Sequence, residues 1–270
     1  MGYSTKPAHW GAEYTDSMTT SLSWLRAEIQ ERILNKLEPI KLSPKRILLE
    51  PDFSGLNRRA FIRRFPGAQV DSIADSQIQE ATPFRIKLKQ ALSRILPNSG
   101  RLLNQGIPAD ASYDLILSNL SLQSLSNPGA WLANCHQYLT EGGLISFAYL
   151  GPDTGKELRN ANLEIGHLQA LPGALDMHDI GDVLVQNRYS DPVMDMEYLY
   201  LEYETEQALY KDGLALGLIS PDAQLDRLHA PSPIKLTLEI VYGHAWVLAK
   251  NRSSGDSKTA YIRADAIKRK

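Results

Sequence analysis

The 270-residue chain is short of cysteine, of net charge and of long apolar runs. Its single cysteine, Cys135, excludes an intrachain disulfide and a cysteine-cluster metal site, and agrees with a reducing compartment. The formal net charge of -2 and a pI near 6.3 give no electrostatic basis for binding nucleic acid or an anionic membrane. No stretch approaches the roughly 20 apolar residues of a membrane span, and the polar start has no signal-peptide core. We therefore expect a cytoplasmic protein.

Short apolar runs alternate with helical apolar patterns along most of the chain. The content of 43% hydrophobic and 22% charged residues is enough for one large core. Alternating strands and helices predict an α/β fold with a mostly parallel, doubly wound sheet and helices on both faces. The predicted strands are 46–49, 68–73, 113–118, 144–149, 193–200 and 234–250. The predicted helices are 22–37, 56–65, 84–96, 128–139, 156–171, 177–187 and 205–216.

Three segments are expected from the same patterns. Residues 1–40 form an N-terminal helical segment that packs on the core. Residues 41–250 form the main domain, with a helical insertion at about 151–192. The polar residues 251–270 form a flexible tail.

Ligands of such sheets bind outside the carboxyl ends of the strands, where the order of strands reverses. The turn after the first predicted strand runs from Glu50 through Asp52 to Gly55. It holds a single glycine where a nucleotide-type loop needs several, and Pro51 removes a backbone donor. We therefore expect a cofactor-binding loop that has lost most of its glycines, with Glu50, Asp52 and Gly55 as its candidate contacts.

Later strand ends supply further candidates. Asp75 follows the second strand and could hold a ribose diol, although a role as a helix N-cap is equally compatible with its position. Asn104 could contact an adenine edge. Ser118 and Asn119 stand at the end of the predicted strand 113–118, at the mouth of the predicted cleft.

Other polar clusters do not indicate chemistry. His178 lies between Asp176 and Asp179, but Asp176 is placed as a helix N-cap and no second histidine has ligand spacing. No nucleophile elbow, P-loop or paired-carboxylate motif is present. We predict no metal site, and no catalytic residue can be named.

Six segments together resemble the class I S-adenosylmethionine-dependent methyltransferases, and among them the biotin-synthesis malonyl-carrier-protein O-methyltransferase family, BioC. The resemblance implies a seven-stranded sheet, S-adenosylmethionine as cofactor and a carboxylate methyl acceptor on a carrier protein. The segments are 113–123, 139–147, 150–159, 176–182, 191–198 and 241–246.

The same resemblance locates departures from the family pattern. Leu49 stands where an acid is usual, and Pro51 and Phe53 replace the first two glycines of the cofactor loop. Ala74 falls on the position of the ribose-binding acid. Leu103 or Asn104 falls near the position of the acid that would hold the adenine amine. Ser124 stands where this family commonly has tryptophan. Thr19 stands where an N-terminal aromatic residue lies over the cofactor. Each lost charge-assisted hydrogen bond costs about 1.5 to 3 kcal/mol, so several losses weaken cofactor binding by orders of magnitude.

Three hypotheses follow. The favoured one is a diverged, weakly active or non-catalytic member of the fold that acts through contacts with a carrier protein or another protein. The second is a working methyltransferase of the biotin pathway, whose cofactor is held in shifted form by Glu50, Asp75 and Asn104. The third comes from a sister family of mitochondrial complex I assembly factors, linked to arginine hydroxylation, which is similar around residues 118–122.

Overall fold

A computed structural model describes residues 23–51, 58–73, 101–103, 106–158, 168–169, 171–222 and 234–248. Within these residues the helices are α1 (Ser23–Lys36), α2 (Arg58–Arg64), α3 (Pro128–Tyr138), α4 (Met177–Gln186) and α5 (Glu206–Ala215). The strands are β1 (Arg46–Glu50), β2 (Gln69–Ile73), β3 (Leu102–Leu103), β4 (Tyr113–Asn119), β5 (Leu139–Leu150), β6 (Ser190–Tyr203) and β7 (Ile234–Trp246).

All seven strands join in one sheet with the order β3-β2-β1-β4-β5-β7-β6. The strands from β3 to β5 are parallel neighbours, whereas β7 runs antiparallel between β5 and β6. The order of strands reverses between β1 and β4. That switch point is where an open α/β sheet leaves a crevice for a ligand.

Two apolar cores cover the two faces of the sheet. Alternate residues of a strand point to opposite faces, so Leu49 and Leu117 pack with α1 and α2. Leu48 and Ile116 pack with α3 and α4 on the other side. The central strands are almost entirely buried, as expected for a parallel sheet covered on both faces.

Charged side chains hold the outer surface of α1 against β6. Arg32 pairs with Glu197 at 2.5 Å and also with Glu28 at 2.7 Å, and Lys36 pairs with Asp195 at 2.5 Å. These pairs are partly exposed, so each contributes at most about 1 kcal/mol. The buried leucine and isoleucine side chains of α1 supply most of its attachment to the sheet.

The predicted α/β fold is confirmed, and the seven-stranded, mostly parallel sheet with helices on both faces is observed. Two details differ. The short strand β3 was not predicted, and the predicted helix 156–171 is wrong where its ends are described, because 156–158 form turns and 168–169 are not helical. The predicted helix 84–96 lies outside the described residues. None of the described helices is both long enough and apolar enough to cross a membrane.

Candidate functional site

The candidate site lies where β1 and β4 end beside the switch point. Glu50, the last residue of β1, is the register partner of Ser118 in β4. Ser118 and Asn119 are neighbours in the chain, but their side chains point to opposite faces of the sheet. The structure therefore brings Glu50 and Ser118 to the α3 face and sends Asn119 to the α1 face.

Glu50 is held against α3. The indole Nε1 of Trp131 donates a 2.7 Å hydrogen bond to its Oε2. Burial raises the pKa of the Glu50 carboxyl above its ordinary value, and the Trp131 hydrogen bond opposes that rise. Burial also raises the pKa of the nearby Cys135 thiol, and the Glu50 charge adds to the effect. Cys135 is thus kept as a buried thiol, as expected for a packing residue.

Ser118 and Asn119 end β4 in different environments. The hydroxyls of Ser118 and Ser121 lie 2.6 Å apart and share a hydrogen bond. Asn119 is fully buried, and its Nδ2 donates a 2.9 Å hydrogen bond to the backbone carbonyl of Arg26 in α1. Asn119 therefore joins the end of β4 to α1.

The turn after β4 is shaped by Leu120 and Gln123. Leu120 has a positive φ of 55°, which is costly for a branched residue and is typical of turns at functional sites. The Nε2 of Gln123 donates to the Leu120 carbonyl at 2.9 Å, and the backbone N of Gly173 donates to the Gln123 carbonyl at 2.9 Å. Gln123 thereby links the strand-end turn to the segment that precedes α4.

A cavity of about 230 Å³ opens at this end of the sheet. It borders the turn after β4 and the last residue of β5, and the carboxyl end of α5 closes its far side. Its lining combines leucine, alanine and glycine residues with arginine, serine and glutamine side chains, and polar atoms form the larger part of its surface. The lining residues are Arg26, Leu120, Gln123, Ser124, Leu150, Gln169, Leu171, Leu214, Ala215, Leu216 and Gly217.

Leu49 occupies the position where the family resemblance expects an acid. Its side chain is fully buried, with 0% exposure, in the apolar core beneath α1. The other predicted contacts, Asp52, Gly55, Asp75 and Asn104, lie outside the described residues and stay predictions. The cofactor roles of Glu50, Ser118 and Asn119 also stay predictions.

Among the remaining polar candidates, Asp176 has a structural role. The Oδ1 of Asp176 accepts a 2.8 Å hydrogen bond from the backbone N of His178, which confirms Asp176 as the N-cap of α4. Among the described residues, no group of histidine, cysteine or carboxylate side chains is arranged to hold a metal ion. His244 in β7 is half-buried, and burial lowers the pKa of its imidazole.

Sequence reasoning missed two buried polar residues of α1, of which Arg26 lines the cavity. Arg26 and Gln30 are one helical turn apart and lie in step with the apolar residues Ile33 and Leu37. Polar residues in line with the buried stripe of a helix indicate either a core hydrogen bond or a lined cavity. That spacing was a usable signal for both residues.

Curated proteins show which family shares these features. The malonyl-[acyl-carrier protein] O-methyltransferase of Gallionella capsiferriformans is 36% identical over 245 residues, which cover 82% of this chain and 83% of the relative. The protein of the same name from Laribacter hongkongensis is 33% identical over 244 residues, 82% of each chain. The chain belongs to the malonyl-[acyl-carrier protein] O-methyltransferase family. No family model matches the chain.

Solved structures agree with the fold. A candidate methyltransferase from Bacillus halodurans superposes with a TM-score of 0.52 at 11% sequence identity, and covers 80% of this chain and 97% of its own. At that identity the likeness concerns the architecture alone. The malonyl-[acyl-carrier protein] O-methyltransferase family member described here thus has the class I methyltransferase fold.

Proposed function

We propose that this family member has a weakened S-adenosylmethionine site, is weakly active or non-catalytic, and acts through contact with a carrier protein. The observation that carries the proposal is Leu49. Its side chain is fully buried in an apolar core at the strand end where the family resemblance expects an acid. An apolar side chain there offers no acceptor to a polar ligand.

Glu50 is a poor substitute for that acid. It is one residue out of phase, so its side chain emerges on the α3 face and ends at the indole of Trp131. Burial favours the protonated form of its carboxyl, which weakens it further as an acceptor for a cation or a hydroxyl group. The described residues of this strand end do not fit S-adenosylmethionine well, so no reaction step is assigned to it.

A carrier protein is the proposed partner because the relatives at 36% and 33% identity are named for an acyl-carrier substrate. The strand-end cavity supports an acyl-binding role because five leucine residues belong to its lining and it borders the turn after β4, beside the switch point. A chain that lost its methyl donor site could still hold an acylated carrier.

Calorimetry with S-adenosylmethionine and S-adenosylhomocysteine tests the weakened cofactor site. We expect dissociation constants far above the micromolar range for both ligands, and micromolar binding of either would overturn this part of the proposal. A second titration with a malonyl-loaded acyl carrier protein tests the partner. The unloaded carrier protein is the matched control, and equal or absent binding of the two forms would contradict a role in holding the acyl group.

The second candidate is an active O-methyltransferase for a malonyl-carrier carboxylate. It is favoured by the well-formed turn from Ser118 to Gln123 and by the cavity beside it, since methyl transfer needs positioning of donor and acceptor more than a dedicated nucleophile. A label-transfer assay with malonyl-carrier protein, together with complementation of a strain lacking the biotin-pathway methyltransferase, decides between the candidates. Multiple turnovers and growth would favour the active form.

A further inference from the structure

A second cavity lies at the opposite end of β1 from the candidate site. It opens between the loop that leads into β1 and the loop that joins α2 to β2, and we name it the strand-start cavity. Its volume is about 200 Å³, and Ser43, Lys45, Arg64 and Gly67 belong to its lining. Two of these residues are cations, and the lining that the structure describes contains no carboxylate. The strand-start cavity therefore carries positive charge that its own wall does not compensate.

The guanidinium of Arg64 is held in place by neutral partners. Its Nη2 donates hydrogen bonds to the backbone carbonyls of Leu37 at 2.8 Å and Ile40 at 3.1 Å, and its Cζ lies 5.2 Å from the ring centroid of Phe65. In the part of the chain that the structure describes, no carboxylate pairs with Arg64, and its buried Nε has no hydrogen-bond partner. A cation that is already held in place loses little side-chain entropy when it binds an anion.

The ammonium group of Lys45 adds a second charge without an acidic partner. Lys45 is exposed, and its side chain forms no ion pair among the described residues. Asp114 contacts this segment through the main chain instead, since its Oδ2 accepts from the backbone N of Lys45 at 2.8 Å and of Arg46 at 3.0 Å. Asp114 thus fixes the start of β1 and leaves the Lys45 ammonium available.

The chemistry of this lining favours a phosphate group over a carboxylate. A phosphate group has at least three acceptor oxygens, which is enough for the Arg64 fork, the Lys45 ammonium and the Ser43 hydroxyl. A carboxylate has only two oxygens. The volume of about 200 Å³ corresponds to about seven water molecules in the liquid. This space is larger than a phosphate group alone needs, so a small organic group can accompany it.

We propose that the strand-start cavity binds a phosphate group, as inorganic phosphate or as a small phosphomonoester, with Arg64 and Lys45 as the residues that hold it. The two cations belong to different loops, so a bound phosphate joins the segment before β1 to the end of α2. This site lies at the amino end of β1 and is separate from the strand-end cavity. The proposal therefore goes beyond the proposed function and does not depend on it.

Titration calorimetry of the full chain tests the proposal with inorganic phosphate, glycerol 3-phosphate and acetate at equal, low ionic strength. At least one phosphate probe should bind with a dissociation constant of roughly 1 mM or tighter, and acetate should bind at least about tenfold more weakly. Tighter binding of glycerol 3-phosphate would identify a monoester site, and tighter binding of inorganic phosphate would identify a site for the free anion. Acetate binding as tight as phosphate, or no binding of either phosphate probe at millimolar concentration, would overturn the proposal.

Variants at exposed positions test the lining without disturbing the core. Lys45→Gln should weaken phosphate binding at least about tenfold, because one charge-assisted hydrogen bond is lost. Ser43→Asp adds a carboxylate to the lining and should abolish binding, whereas Ser43→Asn should retain it. Arg63→Gln, at the exposed neighbour of Arg64 that does not line the cavity, is the matched control and should bind phosphate like wild type. Wild-type affinity in both Lys45→Gln and Ser43→Asp would refute the site.

Nuclear magnetic resonance of the wild-type protein locates the ligand without any substitution. Addition of the phosphate probe that binds should shift the backbone amide signals of Ser43, Lys45 and Gly67. The amide signals of Ser118 and Asn119, at the other end of the sheet, should stay unchanged. Shifts confined to Ser118 and Asn119 would show that phosphate binds at the strand-end cavity, which would overturn the proposal.

Discussion

The indole of Trp131 and the carboxyl of Glu50 form a 2.7 Å hydrogen bond that joins α3 to the last residue of β1. This contact fixes the side chain of Glu50 on the face of the sheet covered by α3. Because the carboxyl is largely buried, its pKa is raised above the ordinary value of 4.5. The strand end next to the switch point therefore carries a buried acid whose charge is costly to the folded protein.

Replacing Glu50 with glutamine should stabilise the protein at neutral pH. A raised folded-state pKa means that the unfolded chain ionises first as pH rises, so the contribution of Glu50 to stability is lost from about pH 4.5 upward through the folded value. Glu50→Gln retains an acceptor for Trp131 and removes the charge. Urea unfolding should show the variant more stable than wild type at pH 8, with a smaller difference or none at pH 4.

Two other variants complete this test. Glu141→Gln, at an exposed site on β5, should change stability by less than about 0.5 kcal/mol. Trp131→Phe leaves the Glu50 carboxylate without its donor and should cost about 1 to 3 kcal/mol at pH 8. A Glu50→Gln variant that is less stable than wild type at pH 8 would contradict the raised pKa.

Asp71 should contribute more to stability than exposed aspartate residues do. This buried residue of β2 accepts hydrogen bonds from the Tyr113 hydroxyl at 3.1 Å and the Arg101 backbone N at 3.2 Å, and pairs with Arg46 at 3.3 Å. Asp71→Ala should lower the free energy of unfolding by about 2 to 3 kcal/mol. The control Asp110→Ala, in an exposed turn, should be nearly neutral. Similar effects at the two positions would argue against the buried network.

Gly173 should tolerate no side chain. A Cβ at this position would lie 2.0 Å from the backbone oxygen of Leu122 and 2.8 Å from that of Leu125. Gly173→Ala should therefore separate the segment before α4 from the turn after β4, at a cost of about 1 to 3 kcal/mol. Denaturant unfolding and limited proteolysis would report the change as lower stability and new cleavage near residue 173.

The same substitution at Gly181 in α4 should have the opposite effect on stability. A Cβ there would meet only Met194 Cγ at 3.6 Å, which is an ordinary contact distance. Gly181→Ala should stabilise the protein by about 0.5 to 1 kcal/mol, because alanine is a better helix former than glycine. If both alanine variants were equally stable, the close approach at Gly173 would be disproved.

His244 should make the protein sensitive to mild acid. Burial lowers the pKa of its imidazole below the ordinary 6.5, so the unfolded chain takes up the proton first as pH falls. Stability should decline from about pH 6.5 down to the lowered folded-state value and should not depend on His244 above pH 6.5. His244→Gln should reduce this decline, whereas His178→Gln, at an exposed site, should leave it unchanged. Thermal unfolding between pH 5 and pH 8 measures both.

The strands and most helices could be predicted from the sequence because their patterns are set by burial. Runs such as 115–117 are buried on both faces, which makes them continuously apolar. The turns at 156–158 could not be predicted, since they depend on a distant strand. There the backbone N of Gly155 donates to the Thr237 carbonyl at 2.8 Å, and a carboxyl oxygen of Glu157 accepts from the Thr237 backbone N at 2.9 Å. Such contacts with β7 override the helical spacing at residues 156–158.

Only the location of the candidate site at one end of the sheet was predictable, because it follows from strand polarity. Polarity and the switch point place Glu50, Ser118 and Asn119 at the same end of the sheet. The cavity wall also needs Gln169, Leu171 and the end of α5, which are far away in the sequence. The alternation of side chains assigns Ser118 and Asn119 to opposite faces, but only the packing of α1 shows that Asn119 binds the Arg26 carbonyl.

The placement of Ser118 and Asn119 on opposite faces of the sheet affects how the protein can be engineered. The side chains of Ser118 and Asn119 belong to two separate neighbourhoods, one under α3 and one under α1. Leu49, where the family resemblance expects an acid, faces α1, the helix that carries Arg26 at the wall of the cavity. Repair of this strand end by protein engineering and redesign of the cavity therefore have to be selected together in one library, whereas the α3 side can be varied separately.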